Sequence, residues 1–152
     1  MAKADIQEQY GLFINGEFVP ASDGATFDAH NPANGEHLAY FAEATKEDVD
    51  KAVKAARVAL PAWSKTSPIE RQNILLKIAD IIDANADHLA LVETLDNGKP
   101  IRETKAADIP LGSDHFRYFA GCIQAEEGSA NILGKDTLSL ILREPIGVVG
   151  QI

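Results

Sequence analysis

Asp136-Thr-Leu-Ser-Leu-Ile-Leu-Arg-Glu-Pro-Ile-Gly-Val-Val-Gly-Gln-Ile152 reads as two apolar strands separated by Arg143, Glu144 and Pro145. The second run, Val148 to Ile152, lacks the polar/apolar alternation of a strand with one wet face. It suits a strand buried on both faces, and such a strand needs neighbouring strands and covering helices. The sequence offers none after it, so the stretch is expected to belong to a larger α/β architecture. In open parallel sheets the chemistry gathers beyond the carboxyl ends of the strands. This chain is therefore expected to carry scaffold rather than reacting groups.

Before that stretch the sequence is helical, and each helix is expected to announce its start. Thr45-Lys-Glu-Asp48 places a capping hydroxyl three residues ahead of a carboxylate, the signature of a reciprocal cap. Val49, Val53, Ala56 and Leu60 then fall on one stripe, and Pro61 is expected to end it. Ser67-Pro68-Ile69-Glu70 combines a cap, a proline at the first helical position and the returning carboxylate. Behind it Ile74, Ile78, Ile81 and Ile82 predict a buried face. Leu89, Val92 and Leu95 continue at helical spacing after Asn85, and Asp96-Asn97-Gly98 supplies the glycine favoured at a left-handed stop. A further helix is expected to carry His115 to Cys122 and run to Gly128.

The first ten residues are polar and read as a flexible arm. Leu12 to Val19 then gives two short apolar runs around Asn15-Gly16, the pair that best tolerates the positive φ of a type I′ hairpin turn. A polar segment with Asp23-Gly24 leads through Phe27 to a second turn cluster, Asn31-Pro-Ala-Asn-Gly-Glu36, and then to His37-Leu-Ala-Tyr-Phe41. No internal repeat or flexible linker divides the chain. The order is hairpin, helices, then strands.

Across 152 residues, 45% are hydrophobic and 24% charged, with a net charge of −9. That is ordinary globular composition. The acidic excess argues against nucleic acid and anionic membrane surfaces as partners, since both reward basic patches. One cysteine cannot form an internal disulfide, and no early apolar run resembles a signal peptide or a membrane span. The expectation is a cytoplasmic protein.

Cys122 is the only thiol. Reactive cysteines favour helix starts and cationic neighbours, whereas Cys122 follows Tyr118 and Phe119 inside a predicted helix. It is therefore read as a buried structural thiol. His30, His37, His88 and His115 have no metal-ligand spacing among themselves or with the cysteine. Gly147-Val-Val-Gly150 is too short for a dinucleotide fingerprint and is read as strand packing. Glu126-Glu127 and Glu47-Asp48 are read as solvated or capping charges. Asp96-Asn97-Gly98-Lys99-Pro100 concentrates an aspartate, an amide and a lysine at one turn, although a helix stop followed by proline explains each residue. Arg117 either pairs with Asp114 within its helix or belongs to a buried network.

Six segments together resemble the amino-terminal part of an NAD(P)-dependent aldehyde dehydrogenase. They are Phe13-Ile-Asn-Gly-Glu-Phe18, Asn31-Pro-Ala-Asn-Gly-Glu36, Glu47-Asp-Val-Asp-Lys-Ala-Val-Lys-Ala-Ala56, Glu93-Thr-Leu-Asp-Asn-Gly-Lys-Pro100, Phe116-Arg-Tyr-Phe-Ala-Gly121 and Arg143-Glu-Pro-Ile-Gly-Val-Val-Gly-Gln-Ile152. Each is weak alone; in this order and spacing they are specific, and they cover the chain from Tyr10 onward. Lys99-Pro-Ile-Arg-Glu-Thr104 and the Phe116 to Ser129 stretch most resemble bacterial acetaldehyde dehydrogenases.

The resemblance implies an α/β fold of which this chain is the amino-terminal part. Residues 1–10 would be the arm, 11–131 the start of the cofactor-binding domain, 132–145 an oligomerisation strand and 146–152 the start of a Rossmann-like sheet. It implies oxidation of an aldehyde, such as acetaldehyde, to a carboxylic acid by a cysteine nucleophile, with NAD or NADP as hydride acceptor. It also implies a homo-oligomer, dimer or tetramer. The family's Pro-Trp-Asn-Phe motif, catalytic glutamate and nucleophile have no counterparts in these residues, so no catalytic residue is assigned and the chain alone is expected to be inactive. Of the residues present, Ile152 matches a strand end lining the cofactor cleft, and Leu111 lies on the helix bordering the substrate tunnel. Ala29, His30 and Asp96 match positions that can hold a structural monovalent cation, a site of hard oxygen donors. A non-catalytic interaction module, pairing through the strand Leu138 to Leu142, is the rival reading.

Overall fold

The computed structural model describes residues 5–152, so residues 1–4 of the expected arm lie outside the described residues. Gln9–Tyr10, within that arm, forms a strand, β1. The predicted hairpin follows as β2 (Leu12–Ile14) and β3 (Glu17–Val19), paired antiparallel. Asn15 and Gly16 both adopt positive φ, 55° and 86°, which matches the right-handed twist of the two strands. Phe13 and Phe18 pack against each other across it at 5.0 Å between ring centroids. β4 (Thr26–His30) and β5 (His37–Ala42) pair antiparallel around the Asn31 turn. β1 joins β5 in parallel, giving a three-stranded sheet ordered β1-β5-β4. What anchors β1 is aromatic: Tyr10 stacks on Phe41 at 5.1 Å, and its hydroxyl accepts the Gln7 N–H.

α1 spans Lys46–Trp63, capped by Thr45 and Asp48 as the sequence indicates. Pro61 does not end it. The proline falls in the last turn, where its missing N–H costs one bond. There the Ser64 N–H reaches Leu60 O at 2.8 Å and the Ser64 hydroxyl reaches Pro61 O at 3.2 Å. α2 (Pro68–Ala84) starts with the Ser67–Glu70 cap and Pro68 in its first turn. α3 (Ala86–Asn97) stops at Gly98, φ 77°.

The chain next makes one turn of α4 (Ile101–Glu103), a π-helical segment Thr104–Asp108, and α5 (Ile109–Ile123). α5 begins earlier and ends well before Gly128, because Gln124 closes it and residues 129–134 are drawn into a strand. That strand, β6 (Ser129–Gly134), was not read from the sequence; it pairs antiparallel with β7 (Thr137–Ile141). Residues 142–152 form no strand. A doubly buried parallel strand needs flanking strands, and none among the described residues pairs with 146–152.

α2 and α5 pack through small residues. Ala79, Ser113 and Ala120 are wholly buried between them, allowing close helix approach. The expected isoleucine face of α2 is not buried as a set: Ile78 and Ile82 are half-buried, while Ile74 and Ile81 remain 41% and 52% exposed. On α1, Val49 and Val53 are likewise exposed. Every fully buried hydrophobic residue among those described is an alanine: Ala21, Ala39, Ala42, Ala79, Ala90 and Ala120.

Candidate functional site

The sheet, α3 and the start of α5 enclose a cleft of about 510 Å³. β1 contributes Tyr10, β4 Ala29, and β5 Leu38, Ala39 and Phe41. From the facing side α3 presents Leu89, Val92, Glu93 and Asp96, and α5 presents Ile109. The α3 set follows from helical periodicity: 89, 92, 93 and 96 recur on one face, apolar in its first half and acidic in its second. Phe27, Phe41 and Tyr10 form a continuous aromatic stack under the sheet side, with centroids 5.8 and 5.1 Å apart. The sequence pattern marks Leu89 and Val92 as an interior face, but Tyr10 and Glu93 escaped it. Tyr10 sat in what read as an arm, and the available signal was the aromatic at position 41 that it stacks on.

Of the residues singled out beforehand, Ala29 and Asp96 line this one cleft. Among the described residues the Asp96 carboxylate has no hydrogen-bond or ion-pair partner. His30 packs edge-on against His37 at 5.6 Å, and His37 approaches Asp28 at 3.2 Å. Leu111 is 55% exposed on α5 and does not line the cleft. Ile152 is fully exposed in the strandless segment 142–152. Among the described residues no glycine-rich turn opens a helix near it. Among the described residues no three His, Cys, Asp or Glu side chains converge as a metal site.

Cys122 is exposed, not buried. It sits in the last turn of α5, beside a shallow hollow lined by Leu75, Phe119, Ile123 and Glu126. The reading of a structural thiol assumed a covered aromatic face, but Tyr118 and Phe119 are themselves more than half exposed. Its position remains unlike that of a nucleophile: it is at a helix end rather than a helix start, and no cationic side chain lines the hollow.

Three polar clusters tie the elements together, the first of them outside the cleft lining. Asp48 is buried and accepts the N–H groups of Ser22 and Thr45, each at 3.0 Å, and the hydroxyls of Ser22 and Thr45. The Ser22 hydroxyl and N–H, followed by the Thr45 N–H, hold its carboxyl well below the usual range. This carboxylate thus ties the loop after β3 to the first turn of α1. At the other end, the Asp96-to-Pro100 turn splits its charges: Asp96 faces the cleft, while Lys99 pairs with Asp108 at 2.5 Å. That bond raises the Lys99 ammonium above its ordinary value. Arg117 bypasses Asp114 and bridges to Asp80 at 3.0 Å and Asp83 at 2.6 Å on α2, while also donating to Ser113.

An open cleft over a small sheet with capped helices packed beside it makes a mixed α/β fold. The aldehyde dehydrogenase family profile matches residues 18–152. An acetaldehyde dehydrogenase of Pseudomonas aeruginosa is 54% identical over 151 residues, covering 99% of this chain and 30% of that protein. A long-chain-aldehyde dehydrogenase of an Acinetobacter species is 48% identical with the same coverage of 99% and 30%. An aldehyde dehydrogenase of Bacillus cereus, solved in complex with NAD+, is 41% identical with a TM-score of 0.83, covering 86% of this chain and 27% of that one. The chain belongs to the aldehyde dehydrogenase family, and it spans 27–30% of the length of these relatives. Among the described residues no helix is long and apolar enough to cross a membrane.

Proposed function

We propose that these residues are the amino-terminal scaffold of an enzyme that oxidises short aliphatic aldehydes, acetaldehyde foremost, to carboxylic acids with NAD or NADP. The observation that carries this reading is the 54% identity to an acetaldehyde dehydrogenase across 99% of the chain. The NAD+ complex of the 41% identical relative supports the nicotinamide cofactor. Within this reading Leu111 borders the substrate tunnel and Ile152 the cofactor cleft. Asp96, with the carbonyls of Ala29 and His30, holds a monovalent cation; what supports this is that Asp96 and Ala29 line one cleft. The 152-residue chain is inactive alone, because its only thiol lacks the setting of a nucleophile.

Two assays test this. The purified chain, mixed with acetaldehyde and NAD+, is expected to form no NADH; turnover abolished by Cys122→Ala would overturn the proposed inactivity. The gene extended past codon 152 is expected to encode Pro-Trp-Asn-Phe at once, and its product to turn over acetaldehyde faster than dodecanal. The reverse preference would transfer the reading to long-chain aldehydes.

A second reading is an oligomerisation role for the β6–β7 hairpin, which exposes Ile132, Leu133, Leu138 and Leu140 at 58–82%. Both strands have an unpaired edge, the geometry that adds strands from another chain. Light scattering across a concentration series checks it: a monomer throughout removes this reading.

A further inference from the structure

We infer that Asn15 is a site of spontaneous covalent modification: it loses its amide by deamidation, and the isoaspartate that forms undoes the β2–β3 hairpin. The inference depends neither on the aldehyde reading nor on a cation at Ala29, His30 and Asp96. Asn-Gly occurs three times, at 15–16, 34–35 and 97–98. A glycine after asparagine has no side chain to hinder attack by its backbone nitrogen on the asparagine Cγ, so the sequence offers three candidates. Hydrogen bonding separates them. The Gly35 N–H donates to Asn31 O at 2.7 Å, and Asn34 Oδ1 accepts the Glu36 N–H at 3.0 Å. The Gly98 N–H donates to Thr94 O at 3.0 Å, and Asn97 Oδ1 accepts the Lys99 N–H at 2.7 Å. In both pairs the attacking nitrogen and the side chain it must reach are tied down. Among the described residues neither the Gly16 N–H nor the Asn15 side chain has a hydrogen-bond partner. Both residues are exposed, no atom stands within 4 Å of a Cβ built on Gly16, and the pair borders a hollow against Ala52, Ala55 and Ala59 of α1. The turn therefore has room to rotate and is open to water.

The Gly16 nitrogen gives up its proton and bonds to Asn15 Cγ; the Cγ–Nδ2 bond breaks, ammonia leaves, and a cyclic succinimide remains. Water, the only co-reactant, opens the ring without any change of oxidation state. Breaking the bond between Gly16 N and Cγ gives aspartate, whereas breaking the bond between Gly16 N and the Asn15 main-chain carbon gives isoaspartate. Ring closure requires Asn15 to rotate out of its turn conformation. The ladder that resists this is only Leu12–Val19, Phe13–Phe18 and Ile14–Glu17, and so short a hairpin opens at little cost. Isoaspartate then adds a methylene to the main chain inside a loop whose length fixes the strand register. The Phe13–Phe18 contact across the strands is lost with that register.

The test ages the 152-residue chain in mildly alkaline heavy-oxygen water, with a parallel sample in urea. Peptide mass spectrometry follows each Asn-Gly pair through loss of ammonia and uptake of heavy oxygen, and isoaspartyl methyltransferase labelling marks isoaspartate. In the folded chain Asn15 should deamidate about tenfold faster than Asn34 or Asn97, a difference of about 1.4 kcal/mol and the size of one backbone hydrogen bond. In urea that lead should vanish, because the protecting hydrogen bonds are gone and the β-branched Ile14 crowds Asn15 more than Ala33 crowds Asn34. The isoaspartate fraction, separated by anion exchange, should lose the Phe13–Phe18 ring contact in nuclear magnetic resonance spectra and keep the signals of α2 and α5. Asn34 or Asn97 reacting first in the folded chain, equal rates at the three pairs, a lead for Asn15 that persists in urea, or an intact Phe13–Phe18 contact in the isoaspartate fraction would each overturn the inference.

Discussion

Asp48 shows how much one side chain does in this structure. It caps α1 through Thr45, and through Ser22 it holds the loop that follows β3, 26 residues earlier in the chain. Its carboxyl titrates well below the ordinary 3.8, chiefly because of the Ser22 bonds. A group whose folded value is depressed adds stability in full above its ordinary value and loses it as pH falls towards the folded one. Unfolding midpoints in urea should therefore drop as pH is lowered below about 4. In Asp48→Asn the chain should be less stable at pH 7, and the gap to the parent should narrow in acid. A constant gap across that range would show that the charge is not what matters. Gly98 is a second such point. Its φ is 77°, and a Cβ there would stand 2.9 Å from Pro32 Cγ, so Gly98→Ala meets both a left-handed backbone and a neighbour. A loss of about 1–2 kcal/mol in urea denaturation is expected from the backbone alone. The cap box and the glycine stop were both legible in the sequence, because each is local chemistry at fixed spacing. Their long-range partners, Ser22 and Pro32, were not, because no spacing rule relates residues so far apart.

Among the elements, the π-helical segment Thr104–Asp108 is the departure that sequence periodicity could not show. One extra residue in a turn leaves every side chain's identity unchanged while altering the direction of all that follow. Thr104 holds it: wholly buried, its hydroxyl lies 3.1 Å from Ala90 O, 3.2 Å from Ile101 O and 3.0 Å from the Thr94 hydroxyl. Thr104→Val keeps the shape but removes the partner of the Thr94 hydroxyl and the second bond to the Ala90 carbonyl, at a cost of about 1–3 kcal/mol. Thr104→Ser should recover most of it, and the urea midpoints of the pair measure this. The α2–α5 contact makes the same point about packing. Periodicity nominated Ile74, Ile78, Ile81 and Ile82, yet the closest approach runs through Ala79, Ser113 and Ala120. Helices meet most closely where side chains are smallest, and a pattern that weights residues by hydrophobicity overlooks alanine. Ala79→Leu should accordingly cost about 1–3 kcal/mol by overpacking, visible as a lowered thermal midpoint.

For the whole molecule the decisive quantity is surface. A self-contained globular protein of this mass exposes about 7,500 Å², whereas this chain exposes 11,664 Å². Large apolar residues contribute to it: Val58, Ile132, Ile146, Val149 and Ile152 are each at least 69% exposed, and the buried hydrophobic residues among those described are six alanines. Burial of apolar surface is the main favourable term in folding, so a chain that leaves this much uncovered holds its shape with a reduced driving force. The isolated 152 residues should bind an apolar dye such as anilinonaphthalene sulfonate strongly at pH 7. They should unfold over a broad range of urea with a shallow slope, since that slope follows the surface exposed on unfolding. Sedimentation should show either defined oligomers or growing aggregates as concentration rises. The β6–β7 hairpin should protect least against amide exchange, because its side chains are exposed on nearly every position and its edges are open. The α2–α5 pair should protect most, joined as it is by buried small residues and by Arg117 across to Asp80 and Asp83. A weak dye signal together with a sharp monomeric transition would mean that the exposed faces close on one another in solution. Uniform protection from residue 9 to residue 141 would show that such closure extends to the hairpin.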